Sequence, residues 1–133
     1  MKQLILIFVL LMGKASFAQT NIMPQVVRSA FEGTWQLKER HSTNTVKIQF
    51  APDKEYALFT DIGTGVAPPR TFNVQIKGNT LILPAVRNVN DYVEMEIIKG
   101  KLHMRVRFPE WDDQGNIKTY RQTVQSIFKK LNQ

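Results

Sequence analysis

Residues Phe31–Arg40, FEGTWQLKER, decide the fold prediction. Gly33 can adopt a positive φ without strain, so it can separate a short helix from a strand. After it, Trp35 and Leu37 fall on one face while the residues beside them are polar, which is the two-residue period of a half-buried strand. Trp35 has a large apolar surface. We therefore expect Trp35 to anchor the core at the start of the first strand.

Downstream of this stretch the same alternation recurs, punctuated by turn residues. Gly78-Asn79 and Lys99-Gly100 have the composition of tight hairpin turns. Longer links are expected at Asp61–Pro69 and Pro109–Asn116, and Pro84 predicts a bulge or a break in the ladder. The predicted strands are Thr34–His41, about Val46–Phe50, Glu55–Thr60, one on each side of Gly78-Asn79, one on each side of Lys99-Gly100, and Ile117–Phe128.

The hairpin turns also predict strand register. The first sets Ile76 opposite Leu81 and Val74 opposite Leu83, and the second sets Met95 opposite Met104. The inward face of Glu55–Thr60 stays open, because Tyr56 and Leu58 or Ala57 and Phe59 fit equally well. Predicted inward residues elsewhere are almost all apolar: Trp35, Leu37, Val46, Ile48, Phe50, Phe72, Val74, Ile76, Leu81, Leu83, Val93, Met95, Ile97, Leu102, Met104, Val106 and Tyr120, with Val124 and Phe128 further along the last strand.

Eight strands in series with short connections predict an all-β fold. Sequential strands usually neighbour one another, and eight is a common number for closing an up-and-down barrel. A helix is expected only within Asn21–Glu32, where Pro24 suits the first turn and Val26, Val27, Ala30 and Phe31 share one face. The predicted fold is an eight-stranded antiparallel up-and-down barrel with a short N-terminal helix over one end.

A glycine and a tryptophan at the head of the first strand, after a short helix, resemble the lipocalins and the wider calycin barrels. The resemblance rests on Gly33-Thr34-Trp35 and on the eight-strand pattern. It implies that Trp35 plugs the closed end of the barrel and that a basic side chain after the last strand lies over it. That side chain is expected to be Lys129, a lysine where the family usually has arginine. Gly33, Trp35 and Lys129 are thus expected to have structural roles.

The first 18 residues have the pattern of a secretory signal peptide. Lys2 precedes the apolar run Leu4–Met12 and the small-residue site Ser16-Phe17-Ala18. We expect cleavage before Gln19, which leaves residues 19–133 as one lipocalin-like β-barrel domain. The run is too short to span a bilayer, so no stable membrane insertion is expected. The chain has no cysteine, so an exported domain would be held by packing alone, and we expect a secreted, periplasmic protein.

Loop lengths point to one end of the barrel as the functional end. Three tight turns share the end that carries Trp35, whereas the longer links lie at the other, and functional residues concentrate on loops over a rigid scaffold. Arg70 and Arg87 are expected there, where they can grip a carboxylate or phosphate head group. The candidate ligand-binding residues are His41, Phe59, Arg70, Phe72, Arg87, Met95, Met104 and Trp111.

Other functional classes have weak support in the sequence. The formal net charge is +7, or +5 without Lys2 and Lys14, but Glu94 and Glu96 face Arg105 and His103 in the predicted register and cancel the best basic patch. We therefore expect no nucleic-acid partner. Two distant histidines without cysteine give no recognisable metal site, and no nucleophile motif is present. The chain is predicted to be a non-enzyme without metal or cofactor.

Two hypotheses of function remain. In the first, the barrel is an exported binding protein for a small hydrophobic or amphipathic ligand that enters the loop-lined end. In the second, it is a protein–protein interaction module with a solid core, such as a periplasmic protease inhibitor, whose loop tips dock a protein partner through residues such as Trp111, Val66 and Ile62. A ligand carrier needs an open pocket of about 300 Å³ or more, so the cavity distinguishes them.

Overall fold

The computed structural model describes residues 23–132. One short helix and eight strands follow each other in chain order, and the strands close into a barrel in which sequence neighbours are also sheet neighbours. All pairings are antiparallel, so the predicted up-and-down barrel is confirmed. The elements are α1 (Gln25–Phe31), β1 (Gly33–Lys38), β2 (Thr43–Phe50), β3 (Tyr56–Gly63), β4 (Arg70–Lys77), β5 (Thr80–Leu83), β6 (Tyr92–Ile98), β7 (Lys101–Trp111) and β8 (Ile117–Lys130).

The two hairpin registers follow the predictions from the turns. Met95 pairs with Met104 across the β6–β7 turn, and Ile76 pairs with Leu81 across the β4–β5 turn. The β4–β5 ladder ends one step before the expected Val74–Leu83 pair. β5 ends at Leu83, because Pro84 has no N–H to continue the ladder. The expected break at Pro84 is confirmed.

The core fills the half of the barrel nearer the helix. Side chains with no exposed surface come from most of the strands and pack as one cluster, and on β3 the inward residues prove to be Ala57 and Phe59. No polar or charged residue of the described chain is buried, so this cluster consists of apolar residues. The fully covered residues of this layer are Phe31, Ile48, Ala57, Val74, Leu81, Met95 and Leu102.

Several sequence predictions about the ends of elements are wrong. β1 ends at Lys38 rather than His41, because the Glu39 N–H donates to the Ser42 carbonyl (2.8 Å) and turns the chain. The helix begins at Gln25, and Val26 is 77 % exposed instead of packing inward. Residues 21 and 22 of the predicted helix, and the predicted signal peptide, lie outside the described residues.

The last hairpin is longer than predicted, and a register shift within it changes which residues of β8 face inward. β7 continues through Pro109 to Trp111, so the expected loop shrinks to residues 112–116. A register shift between Arg107 and Pro109 reverses the alternation on β8. Tyr120 therefore lies on the outer face, with its ring 5.9 Å from that of Tyr92, rather than inside. Of the inward residues predicted on β8, only Phe128 is buried.

Trp35 occupies the closed end beneath α1. Its side chain is 1 % exposed, and its indole N–H donates to the Phe31 carbonyl at 2.8 Å. The ammonium of Lys130 lies 5.3 Å from the centre of the indole ring. Lys129 was predicted to lie over the ring, but the residue there is Lys130. Trp35 pairs with Lys130 in the β1–β8 register, so the alternation of the strand turns Lys129 away from the ring.

Candidate ligand-binding site

The end of the barrel opposite α1 contains an open cavity of about 300 Å³, which we call the mouth cavity. Its inner wall is apolar and reaches down to Val46, Met104 and Phe128. Its rim, in contrast, is formed by polar side chains. The barrel is therefore filled by side chains in the half nearer α1 and contains a cavity at the opposite end, the mouth. The lining consists of Asn44, Val46, Phe59, Asp61, Arg70, Phe72, Leu83, Val89, Asn90, Asp91, Val93, Met104, Val106 and Phe128.

Strand alternation explains why the rim is polar. Asn44 precedes the inward Val46 by two residues, Asp61 follows the inward Phe59 by two, and Asp91 precedes the inward Val93 by two. Residues two apart on a strand share a face. The next inward position along the chain is thus occupied by Asn44, Asp61 and Asp91, at the level where the barrel meets solvent.

Arg70 bridges two sides of the rim. Its guanidinium lies 5.1 Å from the centre of the Phe72 ring, and Nη1 donates to the Val89 carbonyl at 3.4 Å. Asn90 fixes the same loop, because its amide donates to the carbonyls of Pro84 (2.8 Å) and Asp91 (3.0 Å). Arg70 therefore ties the start of β4 to the β5–β6 loop and partly covers Phe72.

The rim carries more negative than positive charge. Asp61 is the cross-strand partner of Arg70, yet the guanidinium turns toward Phe72 and Val89 instead. Within residues 23–132 neither Asp61 nor Asp91 has a cation at ion-pairing distance. Two carboxylates and one guanidinium thus surround an opening whose interior is apolar.

The structure brings half of the sequence-predicted ligand residues into this cavity. Phe59, Arg70, Phe72 and Met104 line it. Met95 does not, because it is fully covered between Leu81 and Met104 in the solid half of the barrel. Of these two cross-strand partners, only Met104 faces the cavity.

The remaining three predicted contacts lie elsewhere. His41 is exposed in the bend between β1 and β2, outside the lining. Arg87 is also exposed, and its Nη1 lies 3.6 Å from where a Cβ would project from Gly115 in the β7–β8 turn. Trp111 ends β7 opposite Ile117 and is part of the hairpin stem rather than of a loop. The expected pair of arginines at the opening is therefore reduced to Arg70.

Four polar residues of the rim were not predicted from the sequence: Asn44, Asp61, Asn90 and Asp91. Asp61 could not be predicted, because the turn before β3 did not determine which residues of that strand face inward. Once Ala57 and Phe59 are inward, Asp61 follows by alternation. Asn44 and Asp91 required extending the inward pattern one step past its last apolar residue, whereas Asn90 belongs to the β5–β6 loop and follows no strand alternation.

A second polar cluster lies on the outer face of β6 and β7, where the register places Glu94 opposite Arg105 as predicted. Glu94 Oε2 lies 3.2 Å from Arg105 Nε and 3.8 Å from Arg107 Nη2. The Arg107 guanidinium is 5.5 Å from the centre of the Tyr92 ring. Burial raises the pKa of Tyr92, and the nearby Glu94 carboxylate raises it further. The cluster is a set of cross-strand pairs on the outer face of the barrel.

Among residues 23–132, no three His, Cys, Asp or Glu side chains come close enough together to hold a metal ion. The only helix described there, α1, has seven residues, so no described helix has the length and apolar character needed to cross a membrane.

Compared with known proteins, the chain matches no protein-family model, no curated protein and no solved structure. What defines the candidate site is consequently its own geometry: an apolar half-barrel with a polar rim.

Proposed function

We propose that this protein binds a small apolar or amphipathic molecule in the mouth cavity. The observation that carries the proposal is the 300 Å³ cavity with an apolar interior and a polar opening. That volume is at the lower end of the range for small-molecule sites, which are mostly apolar with a few fixed polar groups. The ligand is therefore small, with its apolar part against Phe59, Val93 and Met104.

The polar end of the ligand would meet the rim. Two carboxylates without ion partners and one arginine already in contact with Phe72 and Val89 disfavour an anionic head group. A hydroxyl, an amine or a zwitterion suits Asp61 and Asp91 better, because an opposite charge or a donor stabilises a carboxylate. We propose an uncharged or amine-bearing amphiphile in place of the fatty-acid-like ligand that two arginines would hold.

The lipocalin-like character and the export of the chain are part of the same proposal. The Gly33-Thr34-Trp35 stretch, the eight-stranded barrel and the lysine over Trp35 support the resemblance. The signal-like pattern in residues 1–18 supports export. Function on a fold depends on its site rather than on the fold, so binding has to be tested directly.

The test uses residues 19–133 purified from the compartment in which the protein accumulates. Native mass spectrometry, followed by solvent extraction, is expected to show one small molecule per chain. The delipidated protein is expected to bind N-phenyl-1-naphthylamine, a neutral fluorescent probe, with one-to-one stoichiometry. Val106→Trp, which fills the cavity, should abolish probe binding, whereas Ile98→Trp on the outer surface should not.

Either of two results would contradict the proposal. The first is a clean protein mass together with no probe binding. The second is probe binding that Val106→Trp leaves unchanged, because the probe would then occupy another surface.

A protein–protein role is the second candidate, and one observation favours it. Val66, at the tip of the β3–β4 loop, is 92 % exposed. It borders a groove of about 580 Å³ that also involves Ile62, Pro68 and Arg70. Apolar residues that adjoin one another on a surface are a feature of docking sites, and Ile62, Val66 and Pro68 border the same groove. A photo-crosslinker at residue 66 that captures one specific protein from the native compartment, and loses it in the presence of excess unlabelled protein, would support this role.

A further inference from the structure

β8 has an unusual pairing pattern. It has 14 residues, and β7 pairs with it along nearly its whole length. On its other side β1 pairs with it only at Trp35–Lys130 and Gln36–Lys129. Within the described chain, residues 117–128 of β8 have no strand on the β1 side. These two pairs, which we call the seam, close the barrel at the end covered by α1. From the seam toward the mouth, the edge of β8 that faces β1 is unpaired.

The direction of the backbone groups follows from one hydrogen bond. The Leu131 N–H donates to the Thr34 carbonyl at 2.8 Å, so Leu131 directs its backbone groups toward β1. In an antiparallel ladder alternate residues point to the same neighbour. The register is regular from Phe128 to Thr123, so Ile127, Gln125 and Thr123 also present N–H and C=O on this side. We call the side of β8 from Thr123 to Ile127 the open edge.

A partly apolar groove continues the open edge at the end near α1. This seam groove has a volume of about 500 Å³ and is lined by Leu37, Ile127 and Leu131 together with basic and amide side chains. Ile127 and Leu131 are each 44 % exposed. An unpaired strand edge beside exposed apolar side chains is a template for a further strand.

The charged side chains of β8 and of the seam groove are all basic. Lys38, Lys129 and Lys130 line the seam groove, and Lys118 and Arg121 lie further along β8. No aspartate or glutamate lies in β8 or lines the groove. A second copy of this chain would bring the same basic strand against itself, and like charges opposite each other destabilise a strand pair.

We infer that the open edge is a docking site for an extended acidic segment of another protein. That segment adds as a strand beside Thr123–Ile127, with its backbone paired to β8. An apolar side chain of the segment enters the seam groove against Leu37 and Ile127, and its carboxylates face Lys38 and Lys129. Backbone pairing supplies affinity in this mode, and alternate side chains supply specificity. The site lies on the outer wall, apart from the mouth cavity.

The experiment measures binding of synthetic peptides to residues 19–133 by fluorescence anisotropy, with backbone amide chemical shifts recorded in parallel. The probe is acetyl-EVEVEVE-amide carrying fluorescein, and the charge-reversed peptide acetyl-KVKVKVK-amide is its matched control. The acidic peptide is expected to bind and to shift the amides of Thr123, Gln125 and Ile127. The basic peptide is expected not to bind. Methylation of alternate peptide nitrogens on one edge should abolish binding, because those N–H groups make the pairing.

A protein variant gives the complementary test. Thr123→Pro removes an N–H that points to the open edge and leaves the β7 ladder intact, and proline is tolerated on such an edge. It is expected to weaken acidic-peptide binding about tenfold or more, while Thr123→Ala leaves binding unchanged. If the proline variant does not fold, the methylated peptide decides alone.

Three outcomes would overturn the inference. Equal binding of both peptides would mean that charge does not select the partner. No acidic-peptide binding at millimolar concentration would mean that the edge does not accept a strand. A sedimentation result showing a dimer that Thr123→Pro dissociates would assign the edge to self-association.

Discussion

Lys130 and Trp35 together terminate the helix and close the barrel. The Lys130 ammonium lies 5.3 Å from the centre of the Trp35 ring and donates to the carbonyls of Ser29 (3.3 Å) and Ala30 (3.4 Å). The Trp35 indole N–H donates to the next carbonyl, that of Phe31. The last carbonyls of a helix lack partners within it and carry partial negative charge. Three successive carbonyls of α1 are thus satisfied by two side chains from the barrel.

Replacing Lys130 by methionine is expected to destabilise the fold. The variant keeps an apolar chain but loses the contact with the indole face and two hydrogen bonds. Because the site is exposed, we expect the free energy of unfolding to fall by about 1 kcal/mol. Urea unfolding measures it. Lys129→Met is the matched control and should leave the midpoint nearly unchanged; an equal loss in both variants would show that the position over Trp35 has no special role.

Gly33 is expected to resist replacement by alanine. Its φ is +137°, a backbone conformation that residues with a Cβ rarely adopt. A Cβ at this position would lie 2.9 Å from Lys130 Cε. Gly33→Ala should therefore cost about 1–3 kcal/mol from backbone strain and also displace the lysine. Gly65→Ala is the control, because Gly65 has φ +88° but nothing within 4 Å of the added Cβ. A smaller loss at Gly33 than at Gly65, in thermal or urea unfolding, would contradict the contact with Lys130.

Trp35 is the largest of the fully buried side chains, and its truncation to alanine is expected to cost about 3–5 kcal/mol. The variant should also loosen α1, since the donor to the Phe31 carbonyl is lost. Amide hydrogen exchange would detect this as faster exchange in residues 25–31. An unchanged unfolding midpoint would remove Trp35 as the anchor of the closed end.

The fold was predictable because tight turns fix register, and register fixes the inward face. Lys99-Gly100 determined the pairing of β6 with β7. The face of β3 was not predictable, because its turn at Ala51–Lys54 allowed two registers, and Asp61 was missed with it. The reversal at Tyr120 depends on a bulge opposite Pro109 that local sequence does not specify. Arg87 lies outside the cavity lining, because loop side chains follow tertiary contacts rather than alternation.

The Tyr92 hydroxyl gives a test of the outer-face cluster. Its pKa is raised above 10.0 first by burial and then by Glu94. Removing the negative charge in Glu94→Gln is expected to lower the pKa of Tyr92, because Arg107 and Arg105 would then act on it without opposition. Ultraviolet difference titration measures the change, Tyr92→Phe assigns the transition, and Glu96→Gln is the matched control.

The sign of the linked stability effect follows from the same shift. A tyrosine whose folded pKa lies above the unfolded value contributes stability below pH 10.0 and loses it as the pH rises through the folded pKa. Glu94→Gln should therefore reduce the loss of stability between neutral and strongly alkaline pH. A Tyr92 pKa that stays the same in Glu94→Gln would contradict the assigned influence of the carboxylate.

Charge at the rim is expected to select the ligand's polar end. Displacement of the neutral probe from the mouth cavity by dodecylamine, dodecanol and dodecanoate compares three head groups on one tail. The unmodified protein should favour the amine and the alcohol over the acid. At about 4 Å in a water-like dielectric one charge contributes about 1 kcal/mol, or about fivefold in affinity. Asp61→Asn combined with Asp91→Asn should thus weaken the amine and strengthen the acid.

Two further variants make this comparison specific. Arg70→Gln should shift the preference further toward the amine, because it removes the single cation among the residues that line the cavity. Asp113→Asn, in the β7–β8 turn and outside the lining, should leave all three affinities unchanged. If dodecanoate binds the unmodified protein best, Arg70 must leave Phe72 and Val89 to pair with it. The cavity would then stand as a ligand site, but with an anionic ligand in place of the amine-bearing or neutral one.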